Sequence, residues 1–164
     1  PAKEADAANT LMDQGADVIG QHVDSPTPQI VAQERGVYGT GHHRDMSEFA
    51  PEATVCSSVW VWDRFLTPEL KKIVAGNWVP AEHGALLSME QGGTDVSCCG
   101  KGIDEEEKAK IMAAREELLN GEKLIYAGPI ADRDGNVKAA EGEALSDAEL
   151  WSMDWFVKGV ITQQ

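Results

Sequence analysis

The sequence has 164 residues, 42% apolar and 26% charged, with 28 acidic against 14 basic side chains and a formal charge of −14. That length suits one ordinary domain, the apolar content supports a packed core, and no apolar run nears the roughly 18 residues that a bilayer-spanning helix needs. The negative charge repels phosphate backbones and anionic lipid, so nucleic acid is not an expected partner.

Residues 3–14 place Ala8, Leu11 and Met12 at helical spacing and stop at Gly15, which predicts an amphipathic helix. "ADVIGQH" reads as a short buried strand. Asp24-Ser25-Pro26 opens the next helix, which carries Ile30 and Val31 and closes at Gly36, and "GVYGTG" supplies a second strand. "ATVCSSVW" is a third. Thr67-Pro68-Glu69 predicts a helix start, with Leu70, Ile73 and Val74 on its apolar face and Gly76 at its end.

"GALLSME" reads as a weaker strand and residues 91–102 as a loop. Asp104 then caps a long helix bearing Ile111, Met112, Leu118 and Leu119 and ending at Gly121. "KLIYAG" leads into the turn-rich "PIADRDGNV". Ser146 with Glu149 makes a capping box for a last helix that carries Trp151 and Trp155 four residues apart, a spacing that predicts burial of both on one face. Cys56 and the adjacent Cys98 and Cys99 form neither a disulfide framework nor a paired C-x-x-C zinc pattern, and all three are expected as free thiols.

Helix and strand alternating within about 40 residues imply an α/β fold with a parallel sheet flanked by helices. Ligands of such sheets gather beyond the carboxyl ends of the strands. Here those ends carry "QHVDSP", with His22, Asp24 and Ser25, and "HHRDMS", with His42, His43 and Asp45. These six are candidate ligand-binding residues, Asp24 or Ser25 being equally suited to cap the helix after Pro26. Imidazoles and a carboxylate on neighbouring loops could also suit zinc, but adjacent histidines rarely chelate one ion, so neither metal nor other cofactor is expected. The sequence lacks a G-x-S-x-G elbow, a Walker phosphate loop and an H-E-x-x-H helix, and no catalytic residue is expected.

"PAKEADAANTLMDQGADVIGQHVDSP", "GVYGTGHHRDMSEFAPEATVCSSVWVW", "AGPIADRDG" and "LSDAELWSMDWFVKGV" together resemble the basic membrane protein, or purine nucleoside receptor, group of solute-binding proteins for ABC transporters. The resemblance implies a type I periplasmic binding fold, two α/β lobes closing on a ligand. Residues 1–59 and 81–164 would form mainly the second lobe, and residues 60–80 would cross toward the first. It further implies a purine nucleoside or nucleobase ligand, with Trp60 placed to stack on the base or to pack at the hinge. An ABC permease would be the partner. The full protein would be periplasmic or a surface lipoprotein, its first lobe, export signal and anchor cysteine preceding Pro1. Gly20 and His43 depart from the family pattern, which has an aromatic and an acidic residue at those places in some relatives. The alternative is a truncated interaction module that self-associates into a homo-oligomer through its uncovered hinge face.

Overall fold

The alternating signals of the first sixty residues fold as a parallel sheet. In the computed structural model, which describes residues 1–161, α1 is Ala2–Asp13, β1 Val18–Gly20, α2 Thr27–Glu34, β2 Tyr38–His43 and β3 Thr54–Trp60, with a 3-10 turn at Met46–Glu48. Then follow α3 (Trp62–Val74), β4 (Thr94–Ser97), α4 (Glu105–Leu119), β5 (Ile130–Ala131), β6 (Val137–Ala139) and α5 (Asp147–Trp151). The chain divides into two units, Pro1–Trp78 with Leu87–Glu116, and Val79–Leu86 with the residues from Glu117 onward.

In the first unit the strands lie in the order β1-β2-β3-β4, the first three parallel and β4 antiparallel to β3. Ala8 and Met12 of α1, Ile19 of β1, Val31 and Ala32 of α2, and Ala50 and Ala53 form one buried cluster. Four of these seven are alanines, which lets the backbones approach closely. Met12, Ile19 and Val31 are the larger anchors, each worth about 1.5–3 kcal/mol of burial. Gln29 of α2 is fully buried among them, its side-chain amide without a hydrogen-bond partner, over Gly39 of β2. A Cβ at position 39 would come within 2.6 Å of the Gln29 amide nitrogen, so only glycine leaves room for it.

Between Gly39 and Gly41 the pairing of β2 with β3 slips by one residue: Gly39 lies opposite Thr54, but Gly41 lies opposite Ser57. Gly41 is required there. A Cβ would collide with the Ser57 hydroxyl and the Met46 side chain, both buried, and Ser57 Oγ accepts a 3.1 Å hydrogen bond from the Met46 N–H.

Four local expectations are corrected. β2 runs through His42 and His43, so both histidines are strand residues rather than loop residues. "GALLSME" forms no strand, and β4 arises instead within the segment read as a loop, because Thr94–Ser97 pairs with the free edge of β3. α3 begins at Trp62, directly after β3, and carries Pro68 inside it. Proline removes one N–H from the helix, so the carbonyl of the exposed Arg64 loses its usual helical partner. α5 stops at Trp151, so Trp155 lies beyond it; Trp151 is exposed, and the expected buried helical face does not form.

The cysteines are the fifth correction. Cys56 and Cys98 form a disulfide, while Cys99 is free and exposed. Because Ser57 lies opposite Ser97 in the antiparallel β3–β4 pair, the residue before one and the residue after the other become cross-strand neighbours. A cross-link over a separation of 42 residues removes chain entropy worth about 4 kcal/mol on the loop-closure model. Reduction, or Cys56→Ala with Cys98→Ala, should lower unfolding stability by about 2–4 kcal/mol in urea melts.

In the second unit β5 and β6 pair antiparallel, and Asp132 organises the turn between them. Its carboxylate accepts hydrogen bonds from the Asn136 side chain at 2.9 Å and from the Asn136 and Asp134 backbone N–H groups at 2.8 and 3.0 Å, with Lys138 Nζ at 3.2 Å. The Asn136 side chain leads in holding this carboxyl down to about 2, against the opposing effect of burial. A depressed carboxyl stabilises the fold above its ordinary value and loses that contribution as pH falls through the folded one. The turn should therefore hold at pH 4 and loosen toward pH 2, read as the Asp132 carboxyl carbon shift by NMR.

Candidate functional site

Parallel pairing brings distant residues into one row at the carboxyl ends of β1, β2 and β3. Val18 pairs with Tyr38 and Gly20 with Thr40, so the same offset carries His22, just past β1, opposite His42. The slip at Gly41 then sets His42 opposite Ser58 and His43 opposite Val59. The His22 and His42 rings stack at 3.9 Å between centroids. The Trp60 ring stands edge-on to His42 at 5.5 Å and tilted against His43 at 5.9 Å, and Trp62 meets Trp60 at 5.2 Å. His43 has a left-handed backbone, φ 54°, a conformation that costs free energy in a non-glycine residue and is common at functional sites.

Four of the sequence-selected residues thus share one aromatic cluster: His22, His42, His43 and Trp60. Asp24 lies beside it, a carboxylate oxygen 3.7 Å from His43 Nε2, a nitrogen that is buried and makes no hydrogen bond. Ser25 is turned elsewhere: its hydroxyl donates to the Glu4 carboxylate, and its oxygen takes a 3.3 Å bond from the Thr27 N–H at the start of α2. Asp45 caps the 3-10 turn through the Ser47 N–H at 2.9 Å and accepts the Ser97 hydroxyl of β4 at 2.7 Å. Burial pushes the Asp45 carboxyl up, but the Ser47 and Ser97 hydrogen bonds outweigh it and hold the group below its usual range.

Sequence reading passed over Ser58, whose hydroxyl lies 3.4 Å from His42 Nδ1. The period-two face of β3, which Ser58 shares with Trp60, was its available signal. Gln21 was missed as well; its side-chain carbonyl accepts the Val23 N–H at 2.9 Å and shapes the turn that carries His22. Arg115 of α4 grips Asp95 of β4 through two nitrogens, at 2.5 and 2.8 Å, and so fixes the strand that closes this edge of the sheet.

Burial among the rings lowers the pKa of His42, charge on His22 and His43 lowers it further, and Asp24 opposes them. A neutral His42 presents an aromatic face together with nitrogen donor and acceptor edges. Among the described residues no three His, Cys, Asp or Glu side chains are disposed to hold one metal ion. The cluster is therefore suited to a flat or apolar-faced organic ligand whose edge carries hydrogen-bonding groups.

Residues 1–130 match the family model of PnrA-like ABC transporter substrate-binding proteins, Bmp. The chain is 34% identical over 161 residues to a purine-binding protein of Brucella abortus, covering 98% of this chain and 45% of that protein. It is 35% identical over 162 residues to a putative ABC transporter glucose-binding protein, TsgA13, of Haloferax volcanii, covering 98% and 38%. The chain thus spans less than half the length of these relatives. A crystal structure of a transcriptional activator of the comK gene from Bacillus halodurans shares the fold at 13% identity and a TM-score of 0.58, over 73% of this chain and 42% of that one.

Because Asp45 ties the turn after β2 to β4, Asp45→Ala should cost about 1–2 kcal/mol in urea unfolding. A double-mutant cycle with Ser97→Ala should return a coupling of about 0.5–1.5 kcal/mol.

Proposed function

The chain belongs to the family of PnrA-like ABC transporter substrate-binding proteins, and from that premise we propose that it captures a purine nucleoside or nucleobase for import. The observation that carries this reading is the convergence of His22, His42, His43 and Trp60 at the carboxyl ends of three parallel strands. A purine stacks on the Trp60 indole, while imidazole nitrogens and Asp24 select base edges or ribose hydroxyls. The name of the Brucella relative supports the same ligand class. The protein acts by binding, without covalent chemistry, and hands its ligand to a membrane permease.

The helix α3 supports the wider architecture. Trp62, Leu66, Leu70, Ile73 and Val74 are exposed, Val74 at 89%, although spaced as an amphipathic face that would ordinarily be buried. In our reading residues 60–80 cross to a first lobe that this face packs against, and residues 1–59 and 81–164 belong mainly to the second lobe. The Cys56–Cys98 disulfide supports an extracytoplasmic, oxidising location. No described helix is long and apolar enough to cross a membrane.

A hexose is the second reading, favoured by the name of the Haloferax relative, since a sugar can rest its C–H face on the same indole. Calorimetry on a form spanning the relatives' full length, against adenine, adenosine, guanosine, inosine and glucose, separates the two. At least one purine should bind at submicromolar Kd, and Trp60→Ala should weaken it tenfold or more. The 164-residue chain should bind the same purine about a thousandfold more weakly, because half the enclosure costs about 4 kcal/mol of contact. Tight glucose binding with no purine binding would overturn the assignment.

A further inference from the structure

Two imidazoles stacked at 3.9 Å can coexist only while at most one carries a charge. We propose that the His22–His42 stack is a proton-operated latch on the ligand site: neutral rings hold the site in its binding shape, and acidification separates them and releases ligand. This rests on the binding reading above and adds its regulation.

The surroundings set the direction of the response. From the loop after β1 come His22 and Asp24; from β2 come His42 and His43; from β3 come Ser58 and Trp60. Asp45 is tied up by Ser47 and Ser97, and Asp95 by Arg115. Among the described residues the only carboxylate acting on His42 within the cluster is Asp24, which is exposed and lies against His43. Protonating His43 turns that 3.7 Å contact into an ion pair. Protonating both His22 and His42 sets like charges face to face. Acid thus draws one histidine toward Asp24 while driving the other two apart.

The depressed His42 pKa agrees with this geometry. A histidine held below its ordinary value of about 6.5 favours the neutral arrangement above that pH and loses it as pH falls through the folded value. The site therefore binds at neutral pH and weakens as pH falls below the ordinary histidine value of about 6.5.

NMR titration of the imidazole Hε1 protons in the 164-residue chain tests the latch without any ligand. His42 should titrate below the ordinary histidine range, the His22–His42 ring-to-ring cross-relaxation should vanish as it does so, and His22→Asn should move the His42 midpoint upward. Independent titration of both rings, with the cross-relaxation kept through the acid limb, would overturn the latch. A ligand arm follows, using guanosine or whichever purine the full-length form binds. Affinity should fall at least tenfold from pH 7.5 to 5.5, and the fall should shrink in His22→Asn; a pH-independent affinity would also overturn the proposal. If no purine binds at any pH, the ligand assignment falls instead, and the ring titration decides the latch alone.

Discussion

The site depends on one constraint, the hydrogen-bond register of β2 between its two parallel neighbours. Strand pairing is quantised in residues, and a shift of one reverses the face on which every side chain appears. With no slip between Gly39 and Gly41, His42 would lie opposite Ser57 and His43 opposite Ser58. The slip places His42 in the row of Ser58 and His22, and that row is the stack. Gly41 permits it because any side chain there would strike Ser57 and Met46. The Ser57–Met46 hydrogen bond in turn holds the turn that carries Asp45. A bulge re-aims the side chains beside it, and here it aims an imidazole.

The other edge of this site is fastened by unlike means. β4 is four residues long, all of intermediate exposure, and has little apolar burial of its own. It is held by the Cys56–Cys98 disulfide, by the paired hydrogen bonds of Arg115 to Asp95, and by Ser97 donating to Asp45. Covalent and charged contacts replace the hydrophobic packing that secures α1 and α2 on the other side of the sheet. In an acidic chain with 28 carboxylates against 14 cations, a two-nitrogen grip by one arginine is a specific use of scarce positive charge.

The helix surfaces differ in whether anything covers them. α1 and α2 bury alanines and a few larger side chains against the sheet, whereas α3 keeps Leu66, Leu70, Ile73 and Val74 in solvent despite clear amphipathic spacing. Composition does not distinguish these cases. An apolar stripe specifies that something should cover it, and does not specify what the cover is.

The sequence by itself determined the α/β class, the order of α1, β1, α2, β2 and β3, and the caps at Asp104 and Ser146, because periodicity and capping chemistry act within a few residues. It also located the candidate residues at strand ends, where parallel sheets expose ligand groups. Tertiary structure decided the rest. Ser58 and Gln21 gain meaning only beside His42 and His22, and β4 exists because β3 offers it a free edge rather than through its own propensity. The Cys56–Cys98 bridge spans 42 residues and follows from that pairing. α5 ends before Trp155, so helical spacing of two tryptophans did not ensure a shared face. Non-local pairing set β4, its disulfide and the row of side chains around His42, and a single chain's local pattern carries no record of which distant edge it will meet.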